Sequence, residues 1–301
     1  MKESIKTLIE LGYSKSDEEE IVNSYALNTL KDETLKENIK ANYKLLIDLG
    51  YTKEEVIKIT KMLPALYSYT EENITKKIDF LISLGYSKEE IIKMTKTLPQ
   101  LYGYSEKKII DKISFLINLG YSKKEILKIT KTFPTLYGLS KENITDKIDF
   151  LISIGYTKEE VLEMTNILPT LYNYSEDNIK DKINFLIDLG YSKQEVLKMT
   201  INFPALYSFS EENIIEKIEY YRMKNLDFII IENTKYLMQS MKKTKARYNY
   251  LTEEKMFSLD ESNYSKLFMS EKNFQKTYGV STDALIKLHG LDSQIKRCIK
   301  K

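Results

Sequence analysis

The sequence predicts an all-α fold, a superhelical solenoid of tandem two-helix repeats with a 35-residue period and a short third turn or 3-10 helix in each repeat. The prolines lie 35 residues apart, at Pro64, Pro99, Pro134, Pro169 and Pro204. The glycines of "LGY" or "IGY" keep the same step, at Gly50, Gly85, Gly120, Gly155 and Gly190. A helix-capping box follows each of these glycines. A fixed period of this length is the signature of a stacked repeat array.

The repeat around Gly120 shows the elements in order. Ser105 is placed to cap a first helix, "EKKIIDKISFLINL", which should end at Gly120 because glycine suits the left-handed position after a helix. Ser122 and Glu125 have the spacing of a capping box at the start of a second helix. That helix should end before Pro134, since the residue before proline disfavours the α conformation. The segment "PTLYG" is then long enough for a single 3-10 turn.

The period also predicts the domain organisation. We expect a degenerate N-terminal capping repeat at residues 1–37 and five regular repeats at residues 38–216. A degenerate basic final repeat at residues 217–251 and a C-terminal helical cap at residues 252–301 should follow. Neither helix of a repeat can bury its apolar face alone, so each repeat needs its neighbours. The concave surface of such an array is the usual place for function.

Composition excludes several classes of protein. The chain is 42% hydrophobic, which is too apolar for a disordered protein. Its single histidine, His289, and single cysteine, Cys298, exclude a disulfide framework and a Cys/His zinc site within one chain. No phosphate-binding loop or nucleophile–base pair has a recognisable context. We therefore expect no catalytic residues, no metal and no cofactor, and we interpret the chain as a non-enzyme.

The sequence also bears on the compartment. No apolar run reaches the ~18 residues of a membrane span. The first residues, "MKESIKTLIELGYSK", contain Glu3 and Glu10 and resemble neither a signal peptide nor an acid-poor transit peptide. A lone cysteine fits a reducing compartment. We therefore expect a cytoplasmic protein without membrane contact.

Charge is distributed unevenly along the chain. Residues 221–301 carry 16 Lys and Arg against 9 Asp and Glu, a net charge of +7. Residues 1–220 carry 30 basic and 35 acidic residues, a net charge of −5. Such an asymmetry points to a polyanionic partner for the C-terminal part.

The repeated residues resemble a known family. The pattern "P-x-L-Y … S/T-x-x-N-I-x-x-K-I-x-F-L-x-x-L-G-Y-S/T-x-x-E" is similar to the repeat of the mitochondrial transcription termination factor family. The segments "YLMQSMKKTKARYNYL" and "MSEKNFQKTYGVS" look like that family's basic last repeat and C-terminal segment, so the resemblance spans roughly residues 38–281. It implies a superhelical helix-repeat fold that binds DNA or RNA in gene expression. The Lys/Ile/Asn/Tyr-rich composition suggests a prokaryotic or viral member without a transit peptide.

The first candidate site is the segment "KYLMQSMKKTKARYNY", which holds five basic residues and no acidic one. Lys242, Lys243, Lys245 and Arg247 are candidates for phosphate contacts, and Tyr248 for stacking on exposed bases. The alternative is that the segment forms an amphipathic capping helix whose apolar side chains enter the core.

The second candidate site is a lysine that recurs once in each repeat, at Lys77, Lys112, Lys147, Lys182 and Lys217. These lysines could line one edge of the groove and contact successive phosphates. Alternatively, each stem packs over the core while its ammonium group meets a carboxylate or a carbonyl.

A tyrosine that follows each proline raises a similar choice. It occurs at Tyr67, Tyr102, Tyr137, Tyr172 and Tyr207. Such a tyrosine could stack on nucleic-acid bases, but an aromatic side chain repeated at a turn usually packs between layers.

These observations lead to two hypotheses for function. The first is a non-catalytic nucleic-acid-binding protein of transcription-termination-factor type, with RNA or DNA as its partner and a role in regulating gene expression. The scarcity of arginine favours RNA or single strands over sequence-specific duplex DNA, since arginine supplies bidentate contacts to guanine. The second is a scaffold that binds a protein partner on its concave surface.

Overall fold

The computed structural model describes residues 2–24 and 26–288. Their regular structure consists of helices, and no β-strand occurs within these two ranges. The all-α class that the sequence predicts is confirmed. His289 and Cys298 lie outside the described residues.

The α-helices are numbered along the chain. The first eight are α1 Glu3–Leu11, α2 Lys15–Val22, α3 Asp32–Leu49, α4 Lys53–Met62, α5 Glu71–Leu84, α6 Lys88–Thr97, α7 Glu106–Leu119 and α8 Lys123–Thr132. The next eight are α9 Lys141–Ser153, α10 Lys158–Ile167, α11 Glu176–Asp188, α12 Lys193–Asn202, α13 Glu211–Met223, α14 Phe228–Glu232, α15 Met241–Asn249 and α16 Glu271–Tyr278. Residues 282–288 are also helical.

Short turns separate the helix pairs. The 3-10 turns span Pro64–Ser68, Pro99–Gly103, Pro134–Tyr137, Pro169–Asn173, Pro204–Ser208, Thr234–Met238 and Tyr264–Phe268. A π-helical turn, Tyr250–Glu254, follows α15. Each proline is the first residue of its turn, and one capping residue separates it from the end of the second helix, so these helices end before the prolines as the sequence predicts.

The chain divides into two compact units, the first ending at Asp149 and the second beginning at Phe150. The division at residues 37, 216 and 251 follows the repeat period rather than the contacts, and it stays a prediction.

Side-chain capping starts the second helices. Ser122 Oγ accepts a hydrogen bond from the Glu125 amide at 3.3 Å, and the Glu125 carboxylate accepts one from the Ser122 amide at 2.8 Å. The same reciprocal box begins α4, α6, α10 and α12. Each box satisfies two amides that a helix start leaves without partners, so the spacing in the sequence fixes where these helices begin.

A glycine ends each of the helices α1, α3, α5 and α7, and α5 shows why glycine is needed. Gly85 has φ +114°, and its amide donates to the Ile82 carbonyl at 2.9 Å. The next amide, that of Tyr86, donates to the Leu81 carbonyl at 3.3 Å. This is a Schellman turn, which needs a residue that tolerates positive φ. It turns the chain so that the Tyr86 side chain points into the core.

These tyrosines join successive repeats through a buried chain of hydroxyl groups. Tyr86 Oη lies 2.6 Å from Thr130 Oγ1 and 2.7 Å from Tyr137 Oη, and both partners belong to the next repeat. We call such a group a hydroxyl relay. The other relays described are Tyr13–Thr60–Tyr67, Tyr51–Thr95–Tyr102 and Tyr156–Thr200–Tyr207.

The relay has one direction. Thr130 Oγ1 also lies 2.7 Å from the Ile126 carbonyl, to which it can only donate. Its single proton is then used, so Thr130 accepts from Tyr86, and Tyr86 in turn accepts from Tyr137. Each hydroxyl is thereby satisfied in a site closed to water, which is the condition for burying polar groups without loss of stability.

Ion pairs between second helices add a contact at the rim of the first unit. In each pair a lysine meets an acid of the preceding capping box. The pairs are Lys61–Asp17 at 2.5 Å, Lys96–Glu55 at 2.5 Å and Lys131–Glu90 at 2.8 Å. Because these side chains are partly exposed, each pair should contribute at most about 1 kcal/mol.

We predict that Tyr86→Phe lowers the free energy of unfolding by about 1–3 kcal/mol, because it leaves the buried Tyr137 hydroxyl without its relay partner. Urea unfolding measures the loss, and hydrogen exchange should show it in both repeats that the relay joins. The control is Tyr43→Phe, since the half-buried Tyr43 takes part in no relay, and its effect should stay within about 0.5 kcal/mol. Equal effects of the two substitutions would contradict the relay.

Candidate nucleic-acid interface

The basic segment of the second unit forms helix α15, which directly follows the turn Thr234–Met238. Met241, Thr244 and Ala246 are buried, whereas Lys242, Lys243 and Lys245 are exposed. One face of α15 therefore packs on the unit while the other presents three ammonium groups to solvent. The two sets of side chains share the helix without competing for one face.

The three exposed lysines differ in their surroundings. Lys245 Nζ lies 3.4 Å from the carboxylate of Glu216 and 5.5 Å from the centre of the Tyr220 ring. Lys242 and Lys243 have no ion-pair partner among residues 2–24 and 26–288. Lys243 borders a cleft of about 190 Å³ that Gln239, Thr244 and Met269 also line. Two of the three cations are thus free to meet an anion in solution.

Arg247 is placed differently from these lysines, because its side chain is only 8% exposed. Its guanidinium donates to Thr282 Oγ1 at 2.8 Å, to the Met269 carbonyl at 2.5 Å and to the Glu271 carboxylate at 2.8 Å. It also donates to the Leu267 carbonyl at 3.3 Å. The guanidinium thus holds the segment from Leu267 to Thr282 against α15. This geometry favours a structural role, so we leave Arg247 out of the proposed interface.

Glu271 shows the electrostatic side of the same contact. Its carboxylate accepts hydrogen bonds from Thr282, whose amide lies 2.7 Å away, and from Arg247. These bonds favour the charged form and lower the pKa of the carboxyl below its ordinary value. Protonation in acid would therefore weaken the attachment of this segment.

Tyr248 lies half-buried beside the exposed lysines. Its ring is 6.1 Å from that of Tyr220, edge to face, and the ammonium of Lys224 lies 4.7 Å from its centre. The sequence interpretation did not single out Lys224, because it directly follows α13 and lies 24 residues before Tyr248. Together these side chains form an aromatic and cationic surface next to Lys245.

The lysines that recur once in each repeat are largely buried. Lys77 Nζ donates to the Tyr104 carbonyl, and Lys112 Nζ to the Leu139 carbonyl. Lys182 Nζ donates to the Phe209 carbonyl at 2.7 Å, and Lys217 Nζ to that of Leu237. These carbonyls belong to or follow the 3-10 turns and precede the next helix.

Asn42 supports a packing role for this position. It takes the place of the lysine in the first regular repeat, and its amide donates to the carbonyls of Leu66 and Tyr69 at 2.9 and 2.8 Å. An uncharged side chain thus makes the same connection. Lys147 is half-buried at the equivalent position of α9. The role of these lysines in nucleic-acid binding stays a prediction, and the geometry favours the alternative in which they close the turns.

The tyrosines after the prolines are buried as well. Tyr67, Tyr102, Tyr137 and Tyr207 take part in hydroxyl relays. Burial raises the pKa of Tyr137 far above its ordinary value. Rings enclosed in this way pack between repeats and are not accessible to bases.

The described residues offer neither a metal site nor a membrane-spanning helix. No group of three or more His, Cys, Asp or Glu residues in these ranges is arranged to hold a metal ion. Within the same ranges, no helix combines the length and apolar character that crossing a bilayer requires.

Comparison with protein families gives one match. The mTERF family model aligns with residues 1–118 and again with residues 102–275. Together the two regions include helices α1 to α15, and therefore the five regular helix pairs and the basic helix α15. No curated protein sequence matches the chain significantly.

We predict that Arg247→Gln destabilises the second unit by about 2–4 kcal/mol, because several buried acceptors lose their donor. The cost should stay below that of a fully buried pair, since the Glu271 side chain is 45% exposed. Urea unfolding gives the free energy, and hydrogen exchange should accelerate at residues 267–282. Lys243→Gln removes the same charge from an exposed position and should change stability by less than about 0.5 kcal/mol. Equal stabilities would show that Arg247 does not hold this segment.

Proposed function

Because the chain belongs to the mTERF family, we propose that it binds RNA or DNA without catalysis and thereby regulates gene expression. Members of this family are generally non-catalytic nucleic-acid binders. The observation that carries the proposal for this chain is helix α15, whose exposed face presents Lys242, Lys243 and Lys245.

These ammonium groups suit phosphate contacts. Lysine neutralises backbone phosphates and releases their counterions, which supplies affinity without sequence specificity. Positions 242 and 245 lie three residues apart and therefore project together from a helix, while 243 starts a neighbouring row. The helix can thus contact more than one phosphate along a strand.

The aromatic side chain beside the lysines favours unpaired bases. Tyr248 is half-buried and contacts both Lys224 and Tyr220. A ring in this position offers stacking to an exposed base, and a duplex does not present its base faces. Arginine reads guanine in a duplex, and the two arginines among residues 26–288 make contacts within the protein. Arg247 is engaged as described, and Arg222 donates to the Leu189 carbonyl at 2.5 Å. We therefore propose RNA or single-stranded DNA as the preferred ligand.

A protein-binding scaffold is the second candidate, and one observation favours it. Isoleucine recurs at a solvent-exposed position of successive first helices. The first unit contains Ile47, Ile82 and Ile117, and the second contains Ile152 and Ile187. Exposed apolar side chains at a constant repeat position are a feature of surfaces that bind proteins.

We predict that replacing Lys242, Lys243 and Lys245 with glutamine weakens binding to RNA, single-stranded DNA and duplex alike. If each lysine contacts one phosphate, the slope of log K against log salt should decrease in magnitude by about two to three units. Fluorescence anisotropy over a salt series measures both quantities, and circular dichroism confirms folding. The control replaces the exposed Lys40, Lys93 and Lys124 with glutamine, which removes the same charge from the first unit.

The two candidates give different results in this experiment. An unchanged affinity and slope with all three ligands would overturn the interface on α15. An equal loss in the control variant would attribute binding to net charge rather than to this helix. If the unmodified protein binds none of the ligands at low salt, the nucleic-acid function itself fails and the scaffold takes its place.

A further inference from the structure

A second basic feature lies in the first unit, and it appears when the repeats are compared position by position. The first turns of α5, α11 and α13 read Glu71-Glu72-Asn73, Glu176-Asp177-Asn178 and Glu211-Glu212-Asn213. The equivalent residues of α7 are Glu106-Lys107-Lys108, and those of α9 are Lys141-Glu142-Asn143. Lysine therefore replaces an acid or an asparagine three times in these two successive repeats. The equivalent residues of α3 include one lysine, Lys36, whose ammonium lies 3.6 Å from the Glu3 carboxylate.

The three replaced positions meet in space. Lys107, Lys108 and Lys141 line one cleft of about 480 Å³ between the start of α7 and the turn that leads into α9. The cleft also contains Lys112 and one acid, Asp111. We call it the lysine cleft. Its volume lies within the roughly 300–1,000 Å³ that is usual for ligand sites.

Lys112 forms the inner wall of the lysine cleft. It is 95% buried, and its ammonium is held by the Leu139 carbonyl and lies 5.8 Å from the centre of the Phe115 ring. Lys141 approaches the same ring, at 5.6 Å. Burial lowers the pKa of Lys112, and the neighbouring charges of Lys141 and Lys108 lower it further. The ammonium groups of Lys112 and Lys141 thus lie at the same ring, 5.8 and 5.6 Å from its centre, and like charges in such positions repel one another.

Fold stability does not explain these substitutions. The start of a helix carries partial positive charge, so acids stabilise it and lysines do the opposite. Lysine at three such positions, beside a buried fourth lysine, places like charges together. Lys108 gains only a contact with the Tyr104 ring, at 3.6 Å from its centre. The arrangement is unfavourable in the free protein and becomes favourable once an anion is bound.

We propose that the lysine cleft is a phosphate-binding site, and that it holds the backbone phosphates of the nucleic acid. Four ammonium groups against one carboxylate select an anion of more than one charge. Lysine suits phosphate as a compact point charge that donates in several directions. The hydroxyls of Ser105 and Ser140, which also line the cleft, are further potential donors. This proposal rests on the proposed function, but it concerns a separate site in the first unit.

The equivalent residues of other repeats provide substitutions that test this proposal. Lys107→Glu, Lys108→Asn and Lys141→Glu restore the residues that other repeats carry at these positions, and together they change the charge by −5. Affinity for RNA and single-stranded DNA at low salt should fall roughly tenfold or more, and the salt slope should decrease by about two to three units. The melting temperature should stay equal or rise, because acids replace lysines at helix starts.

A matched control changes the charge equally outside the cleft. Lys40→Thr, Lys93→Glu and Lys124→Glu also amount to −5, and each introduces the residue of a sister repeat, at Thr75, Glu163 and Glu159. This variant should retain most of the affinity. If it loses as much as the cleft variant, net charge governs binding and the proposal is overturned.

Further binding measurements distinguish nucleic acid, small phosphorylated molecules and other anions as ligands of the cleft. Calorimetry with inorganic pyrophosphate shows whether the cleft binds phosphate groups by themselves. Binding of pyrophosphate that the cleft variant loses, with nucleic-acid affinity unchanged, would support the phosphate site but assign it to a small phosphorylated molecule. If the cleft variant binds both pyrophosphate and nucleic acid as well as the unmodified protein does, the site is overturned. The same holds if the cleft binds polyglutamate but no phosphate compound. If the α15 variant loses affinity and the cleft variant does not, the proposed function stands and this inference fails.

Discussion

The hydroxyl relay is the interaction on which the other features depend. It requires a tyrosine directly after the helix-ending glycine, a threonine in the second helix of the next repeat and a tyrosine in that repeat's turn. In the relay of Tyr86 the partners lie 44 and 51 residues ahead. A buried hydroxyl without a partner is costly, so the distances between these three residues cannot drift independently. The relay of Tyr13 spans 47 and 54 residues, three more in each case, and Gly12 lies 38 residues before Gly50, so the glycine spacing and the relay distances change together.

The bonds from buried lysines to the turns divide the surface into two kinds of position. Where most repeats carry the same residue, as at Lys77 and Lys182, the side chain closes a turn and stabilises the packing of the repeats. Asn42 departs from that residue but closes its turn in the same way, whereas a departure without such a structural role can be explained by a ligand. The exposed lysines of α15 and those of the lysine cleft are both departures of this kind. We therefore expect ligand binding at positions where one repeat differs from the others.

The sequence predicts what depends on nearby residues and misses what depends on distant ones. Capping boxes, helix ends and 3-10 turns involve partners within about five residues, and they occur where the pattern indicates. The partner that each charged side chain contacts does not follow from such local patterns. Arg247 binds Thr282, 35 residues away, and Lys77 binds a carbonyl 27 residues away. Only the folded chain shows that these cations are already engaged, whereas Lys242 and Lys243 are exposed.

The distances of 44 and 51 residues that the relays of Tyr51, Tyr86 and Tyr156 share also limit how such a chain can change in length. Duplicating or deleting one whole 35-residue unit still leaves each relay tyrosine opposite an equivalent threonine and an equivalent turn tyrosine. This holds wherever within the repeat the duplicated or deleted segment begins. An insertion of a few residues inside a helix separates the partners on either side of it. Unequal recombination in steps of 105 nucleotides would therefore be tolerated, whereas selection would remove small insertions. Related genes should then differ in the number of repeats more than in the length of a repeat.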